Sequence, residues 1–483
     1  MNVVSEILAR HAASGEAAIV SSDGDSISFA DLAVRVERTA AELARSGLLA
    51  DRDRISRVGL LCPDGSAYVV LALAVLRTGA CLVPIASELT PRERSDLARR
   101  VALDRLLVVG EGNRDGTADA LRIELGGVEA GLQCFASSET PFDESDFSAL
   151  APAFVRFSSG TTGAAKGILL SHASLRERLQ AAQRTLGIDA GDRVVWLLPM
   201  SHHFVASILL YLWSGATILL SRSALAADVL DCALRGGGTV VYASPFHHAL
   251  LAGEPSARPW TELRLAVSTA TALPASTAKS FFDRYGQPLA QVLGIMEVGL
   301  AATNVAHAAE KPDAVGRPSP GFEIELRDEA GRPVAPGAVG ELQVRGPGML
   351  DAYLSPWRRR DEVLRDGWFA TGDLAVRDED GDLRLVGRTQ SVIDVGGLKC
   401  FPEEIEAVLA EHPGVQAAHV APRRHERVGA VPIAEIVPSD PARPPDAATL
   451  ARHCRERLAR YKVPVEFRIV STLASTASGK LRR

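Results

Sequence analysis

The chain has 483 residues, 53 Lys plus Arg against 59 Asp plus Glu, and a formal charge of −6. Hydrophobic residues make up 47% and charged residues 23%, a globular balance that excludes disordered, collagen-like and coiled-coil classes. At roughly 100–200 residues per domain the length allows two to four domains, and the mild acidity argues against a broad nucleic-acid footprint, which would show as a basic face or domain.

Residues 1–15 place Val4, Ile7, Leu8 and His11 on one helical face, with no basic start and apolar run of a secretory signal. The longest apolar stretches, 68–76 and 208–220, fall short of the roughly 18 residues of a membrane span. Six cysteines (62, 81, 134, 232, 400, 454) contain no CxxC pair, so neither a disulfide framework nor a zinc cluster is expected, and the expected compartment is the cytoplasm. A helix over 31–43 and another over 68–77 alternate with strands at 57–62, 80–85 and 103–109, which implies βαβ units and a largely parallel sheet. Residues 134–152, rich in Ser, Asp, Glu and Pro, read as a loop or linker. Strands at 194–198, 217–220, 239–242, 263–267 and 289–293 resume the alternation. Short alternating segments in 312–390, punctuated by Gly, Pro, Arg and Asp, predict a smaller antiparallel β unit. Helices at 402–411 and 447–458 with strands at 415–420, 433–437 and 466–470 predict a compact α+β domain.

The segment Phe157-Ser-Ser-Gly-Thr-Thr-Gly-Ala-Ala-Lys-Gly167 is a loop of small residues, hydroxyls and one lysine. Ser158, Ser159, Gly160, Thr161, Thr162 and Gly163 let amides and hydroxyls approach a phosphate, and Lys166 adds charge. The nucleoside-triphosphatase P-loop is excluded, because Ala165 precedes the lysine and Gly167 follows it. A flexible surface loop has the same composition, but the order of residues resembles the phosphate loop of the adenylate-forming superfamily. That superfamily comprises acyl-CoA synthetases, nonribosomal peptide adenylation domains and firefly-type luciferases. Ala165 stands where it usually has Pro.

Further stations follow in the family's order. Gln291-Val-Leu-Gly-Ile-Met-Glu297 sits where members carry an aromatic, Gly, a variable residue, Thr and Glu. The resemblance makes Glu297 the magnesium ligand, a hard oxygen donor, with Leu293, Gly294, Met296 and Thr271 at the nucleotide. Leu293 and Met296 depart from the usual aromatic and Thr. Asp373, in Thr-Gly-Asp, and Arg388 occupy the ribose stations, and Gln390 the interdomain hinge. Gly396, Gly397 and Lys399 match the loop that forms the thiol channel, where glycines allow close backbone approach. Lys480 in Ser-Gly-Lys matches the lysine that neutralises the α-phosphate and the attacking carboxylate, with Ala474 in place of Pro.

The resemblance implies an α/β fold. A large multi-subdomain N-terminal part, 1–389, has parallel α/β sheets and a small β-barrel-like unit, and 390–483 is a small mobile α+β C-terminal domain. It also implies ATP, Mg2+ and coenzyme A as cofactors. The acyl pocket takes His202, His203, Phe204, Ser207, Ala270 and Gly294, with His202 as a gate. Amino-acid-activating members place an Asp in this region, whereas 199–207 holds only histidines as ionisable groups. An unpaired ammonium in an apolar pocket is costly, so an aryl, fatty or polyketide-type carboxylic acid is the expected substrate. Coenzyme A is the simplest acceptor; a carrier-protein thiol or an amine needs no new motif. A non-catalytic adenylate binder is the rival class, and Lys480 discriminates against it, since a binder has no need of a transition-state lysine.

Overall fold

The computed structural model describes residues 2–46, 49, 54–110, 121–134, 142–157, 166–256, 258–395, 398–425 and 429–473. Two compact units emerge: one of Met1–Pro312 with Pro318–Glu323 and Arg345–Phe369, the other of Asp313–Arg317, Ile324–Val344 and Ala370–Arg483. The expected boundary at 389/390 falls inside the second unit.

In the first unit, one sheet has a parallel core in the order Leu289–Ile295, Leu265–Ser268, Val240–Ala243, Arg193–Trp196, Thr217–Leu220, Ala17–Ser21. The five expected strands of 192–301 all lie here. The N-terminal strand Ala17–Ser21 joins them from almost 200 residues away, pairing Ile19 with Ile218, which no local pattern announces. A second sheet sets Arg57–Leu61 between Cys81–Pro84 and Arg105–Val109 in parallel. These strands are buried on both faces, hence the continuous apolar runs in place of alternation. The helix Phe29–Arg45 begins where the Ser28 hydroxyl accepts the Asp31 N–H at 3.0 Å and buries Leu32, Val36, Ala40 and Leu43 on one face.

The expected linker needs correction. Residues Glu144–Ala149 form a helix: the Asp143 carboxylate caps it by accepting from Ser145 and Asp146, and Phe147 is fully buried against Phe142. The polar residues that suggested a loop are the cap itself. Fully buried Arg57 pairs with Glu144 at 2.8 Å, tying this helix to the sheet. A hairpin, Leu121–Leu125 with Val128–Cys134, also joins the sheet edge beyond Arg105–Val109.

The second unit contains most of the expected antiparallel β segment, with Phe369–Arg377 against Leu383–Arg388. Its last part is the α+β arrangement read from the sequence. Val415–His425 and Gly429–Pro438 form a long antiparallel pair, Phe467–Ile469 adds in parallel, and helices Pro402–Ala410 and Ala447–Arg455 pack together. Ile393, Ile405, Leu409, Ile436, Leu450 and Cys454 form its core. Among the described residues no helix is long and apolar enough to cross a membrane.

Candidate functional site

The stalk of the phosphate-type loop is an antiparallel hairpin. Strands Pro152–Phe157 and Gly167–Ser171 pair so that Phe157 faces Gly167, and the loop is what joins them. A Cβ on Gly167 would stand 3.0 Å from both Leu354 Cβ and Phe157 Cζ, so a side chain there would need these neighbours to give way by a few tenths of an ångström. Ser158, Ser159, Gly160, Thr161, Thr162 and Gly163 lie outside the described residues, as do Gly396, Gly397 and Lys480. Lys166, at the loop's exit, is exposed, and its ammonium sits 5.0 Å from the centre of the Tyr353 ring, a cation–π distance.

Tyr353 leads to Glu297. Its hydroxyl donates to Glu297 Oε1 at 2.9 Å. Burial and the adjacent Glu297 charge push the phenol well above its ordinary pKa, so it remains a donor. Glu297 lies on the tight turn between antiparallel strands Leu289–Ile295 and Gly299–Thr303. The Val298 N–H closes that turn on the Ile295 carbonyl at 3.0 Å, and the Leu350 N–H donates to the Glu297 carbonyl at 2.7 Å. Arg178 holds it from the other side, donating to the Met296 carbonyl at 2.7 Å and to the Gly348 carbonyl. Burial lowers the Arg178 pKa to about 10, opposed by Glu297 and Asp351, so it is still a cation at neutral pH. Arg178 belongs to the helix His172–Leu186, which begins where the strand Gly167–Ser171 ends. One continuous strand–helix segment thus carries the loop's exit and fixes the turn bearing Glu297.

Gly294 is exposed, with nothing within 4 Å of where a Cβ would stand, the open volume that a ligand-facing position requires. Leu293 is buried, and Met296 is half-buried with its carbonyl held by Arg178. Ala270 adopts φ +75°, a conformation rare outside glycine that signals local constraint. Thr271 beside it is exposed. The Gln291 side chain accepts the Leu273 N–H at 2.6 Å and fixes the far end of that loop.

The acyl-pocket segment is irregular. Helix Met200–His203 passes into a π-helical turn, Phe204–Ile208, before helix Leu209–Ser214. Such π turns recur at functional sites because they re-aim side chains. His202 and His203 are half-buried, Phe204 and Ser207 fully buried. The His203 ring meets Trp196 at 6.1 Å, and Trp196 also packs on Tyr211 and Tyr242. His248, unassigned by any motif, is a structural residue: it is fully buried and bonded to the Val267 carbonyl at 3.0 Å.

In the second unit, Asp373 and Arg388 face each other across the ladder, with Arg388 Nε 2.9 Å from Asp373 Oδ1. The Asp373 N–H donates to Thr371 Oγ1, whose hydroxyl donates to the Leu342 carbonyl, and Gly372 between them takes φ +72°. Thr-Gly-Asp thus lies within the strand Phe369–Arg377, which holds the buried Asp373 carboxylate against Arg388. Gln390 lies in the turn Thr389–Ser391, and the backbones of Asp394 and Lys399 stand opposite each other in the register of a short hairpin.

The sequence reading missed Arg156, Arg178 and Tyr353. Arg156 signalled itself as a charge inside the apolar run Pro-Ala-Phe-Val-Arg-Phe; the other two carry no local mark. Arg360 donates to the Leu350 and Met349 carbonyls and to Ser174 Oγ.

Family models agree with this layout: one for AMP-binding enzymes matches residues 8–354, and one for the AMP-binding enzyme C-terminal domain matches 404–480. The chain is 31% identical to an indoleacetate–CoA ligase of Aromatoleum aromaticum over 502 residues, spanning 99% of this chain and 96% of that one. It is 30% identical to a feruloyl-CoA synthase of an Amycolatopsis species over 493 residues, spanning 97% and 95%. Among solved structures, an anthranilate CoA ligase in complex with anthranoyl-AMP superposes with a TM-score of 0.83 at 25% identity, covering 100% of this chain and 96% of that one. The ordered motifs, the loop-and-turn architecture and these matches lead to one assignment: the chain belongs to the AMP-binding enzymes of the adenylate-forming superfamily.

Proposed function

We propose that the protein activates a carboxylic acid with ATP to an acyl-adenylate and passes the acyl group to a thiol, that of coenzyme A. The observation that carries this is the contiguous line from Lys166 through Tyr353 to Glu297 at the exit of the phosphate-type loop. A cation and a fixed carboxylate there suit a reaction that asks mainly for positioning and charge neutralisation. The carboxylate oxygen of the acid attacks the α-phosphorus, and pyrophosphate leaves.

Glu297 would hold magnesium. A carboxylate is the hard donor this ion takes, and among the described residues Tyr353 engages Oε1 alone. Bound there, the ion would neutralise phosphate charge. Lys480 would neutralise the α-phosphate and the incoming carboxylate, and Asp373 with Arg388 would hold the ribose. The boundary at 389/390 divides an adenylating part from a C-terminal domain that turns about Gln390, exchanging Lys480 for the loop of Gly396, Gly397 and Lys399.

An aryl acid is the favoured substrate class. Two relatives that match over nearly the whole chain are named for indoleacetate and ferulate, and the rings of Trp196, His203, Tyr211 and Tyr242 pack together beside the π turn. The test is carboxylate-dependent pyrophosphate release from magnesium ATP over aryl, medium-chain and long-chain acids, with and without coenzyme A, and with Lys480→Ala. Release with an aryl acid, an acyl-CoA product and loss in the variant are expected. No release with any acid would overturn the reading. A product only with an amine or a carrier protein would move the acceptor.

A further inference from the structure

Arg156 interrupts the apolar strand Pro152–Phe157 just ahead of the phosphate-type loop. Its guanidinium crosses to residue 202: Nη1 donates to the His202 carbonyl, and Nη2 stands 3.1 Å from His202 Nδ1. A guanidinium has five donors and no acceptor. At this contact the imidazole nitrogen must therefore accept. Nδ1 then carries no proton, and the ring's proton is on Nε2.

We propose that Arg156 is a positioning residue that holds His202 as the neutral, Nε2-protonated tautomer, making it a hydrogen-bond donor rather than a proton acceptor in the acyl site. Grasping both the carbonyl and the ring sets the angle at which the imidazole leaves the backbone, just before the π turn begins. Arg156 is itself fixed by its surroundings. Burial lowers the Arg156 pKa only to about 10, opposed by the Glu297 carboxylate. Asp64, ahead of the helix Ser66–Arg77, accepts the Met200 N–H at 2.9 Å and anchors the start of the His202 helix. A donor at Nε2 suits an oxygen of a carboxylate or an acyl-adenylate; it cannot deprotonate an incoming thiol or amine.

The tautomer rests on the Arg156 contact alone, whereas its use in the reaction rests on the proposed acid activation, and the experiment separates the two. The full chain labelled with 15N-histidine is examined by long-range proton–nitrogen spectra, with His202→Asn identifying the signal among the 11 histidines. An unprotonated Nδ1 and a protonated Nε2 are expected; a protonated Nδ1 overturns the proposal. Arg156→Met should give mixed tautomers and lower kcat for pyrophosphate release by about 10–100-fold with little change in the KM for ATP, and Arg156→Lys should recover part of it. A pure Nε2 tautomer in Arg156→Met also overturns the proposal. If Arg156→Met fails to fold, the wild-type spectrum still decides. If no acid is activated, the acid-activation reading falls while the spectrum judges the tautomer.

Discussion

At the scale of single residues, Glu297 depends on a partner that keeps its own proton. Because the Tyr353 phenol is raised by burial and by Glu297 itself, it donates at any pH compatible with the fold. Tyr353→Phe removes that bond and should cost about 1 kcal/mol of stability, read as a small drop in the thermal midpoint. It should also raise the magnesium concentration needed for half-maximal pyrophosphate release. Glu297→Gln keeps the shape and removes the charge. It should lower kcat for release by about 10²–10³-fold, the scale of losing one electrostatic stabiliser, with the thermal midpoint nearly unchanged. Arg178 and Arg360 were invisible as site-supporting residues for a related reason. Arginines on helices usually face water, and only their bonds to the Met296, Gly348, Leu350 and Met349 carbonyls show that these support the turn.

At the scale of elements, the contact between the helix His172–Leu186 and the Glu297 turn passes through Gly348. Its φ is +67°, and a Cβ would stand 2.6 Å from Arg178 Cγ and from the Ser174 carbonyl. Gly348→Ala should destabilise the protein by about 1–3 kcal/mol and lower pyrophosphate release by displacing Arg178; comparing denaturant midpoints with initial rates checks both. The helix Pro245–Ala252 carries a pH liability of its own. Burial holds His248 down at about 4 from an ordinary 6.5, so the unfolded chain binds its proton first. That stability is complete above pH 6.5 and is lost as pH falls from 6.5 through 4, by about 3 kcal/mol. His248→Leu should flatten this slope in melting curves between those pH values. His172, also held at about 4 by burial, would leave part of the slope in place. The element missed by the sequence, Glu144–Ala149, is short and rich in cap residues. Its stability comes from Phe147 packing and the Arg57–Glu144 pair, neither of which periodicity registers.

At the scale of the whole molecule, the proposed turn about Gln390 predicts that the two half-reactions separate. Gln390→Pro would restrict the turn Thr389–Ser391. Pyrophosphate release should change little while acyl-CoA formation falls by about tenfold or more; equal loss in both would count against a hinge there. The chain itself determined much of this protein. The strand–helix alternation was legible because strands buried on both faces leave continuous apolar runs, and the run 157–167, Glu297, Thr-Gly-Asp373 and Arg388 stood out through the order in which the family's motifs recur along the chain. Tertiary structure decided the rest. Tyr353 meets Glu297 across 56 positions, Arg156 meets His202 across 46, and Arg178 meets Met296 across 118. Such partners leave no periodic or spacing signal, because a hydrogen bond is set by where two strands and a helix come to lie, and that is fixed only when the core packs.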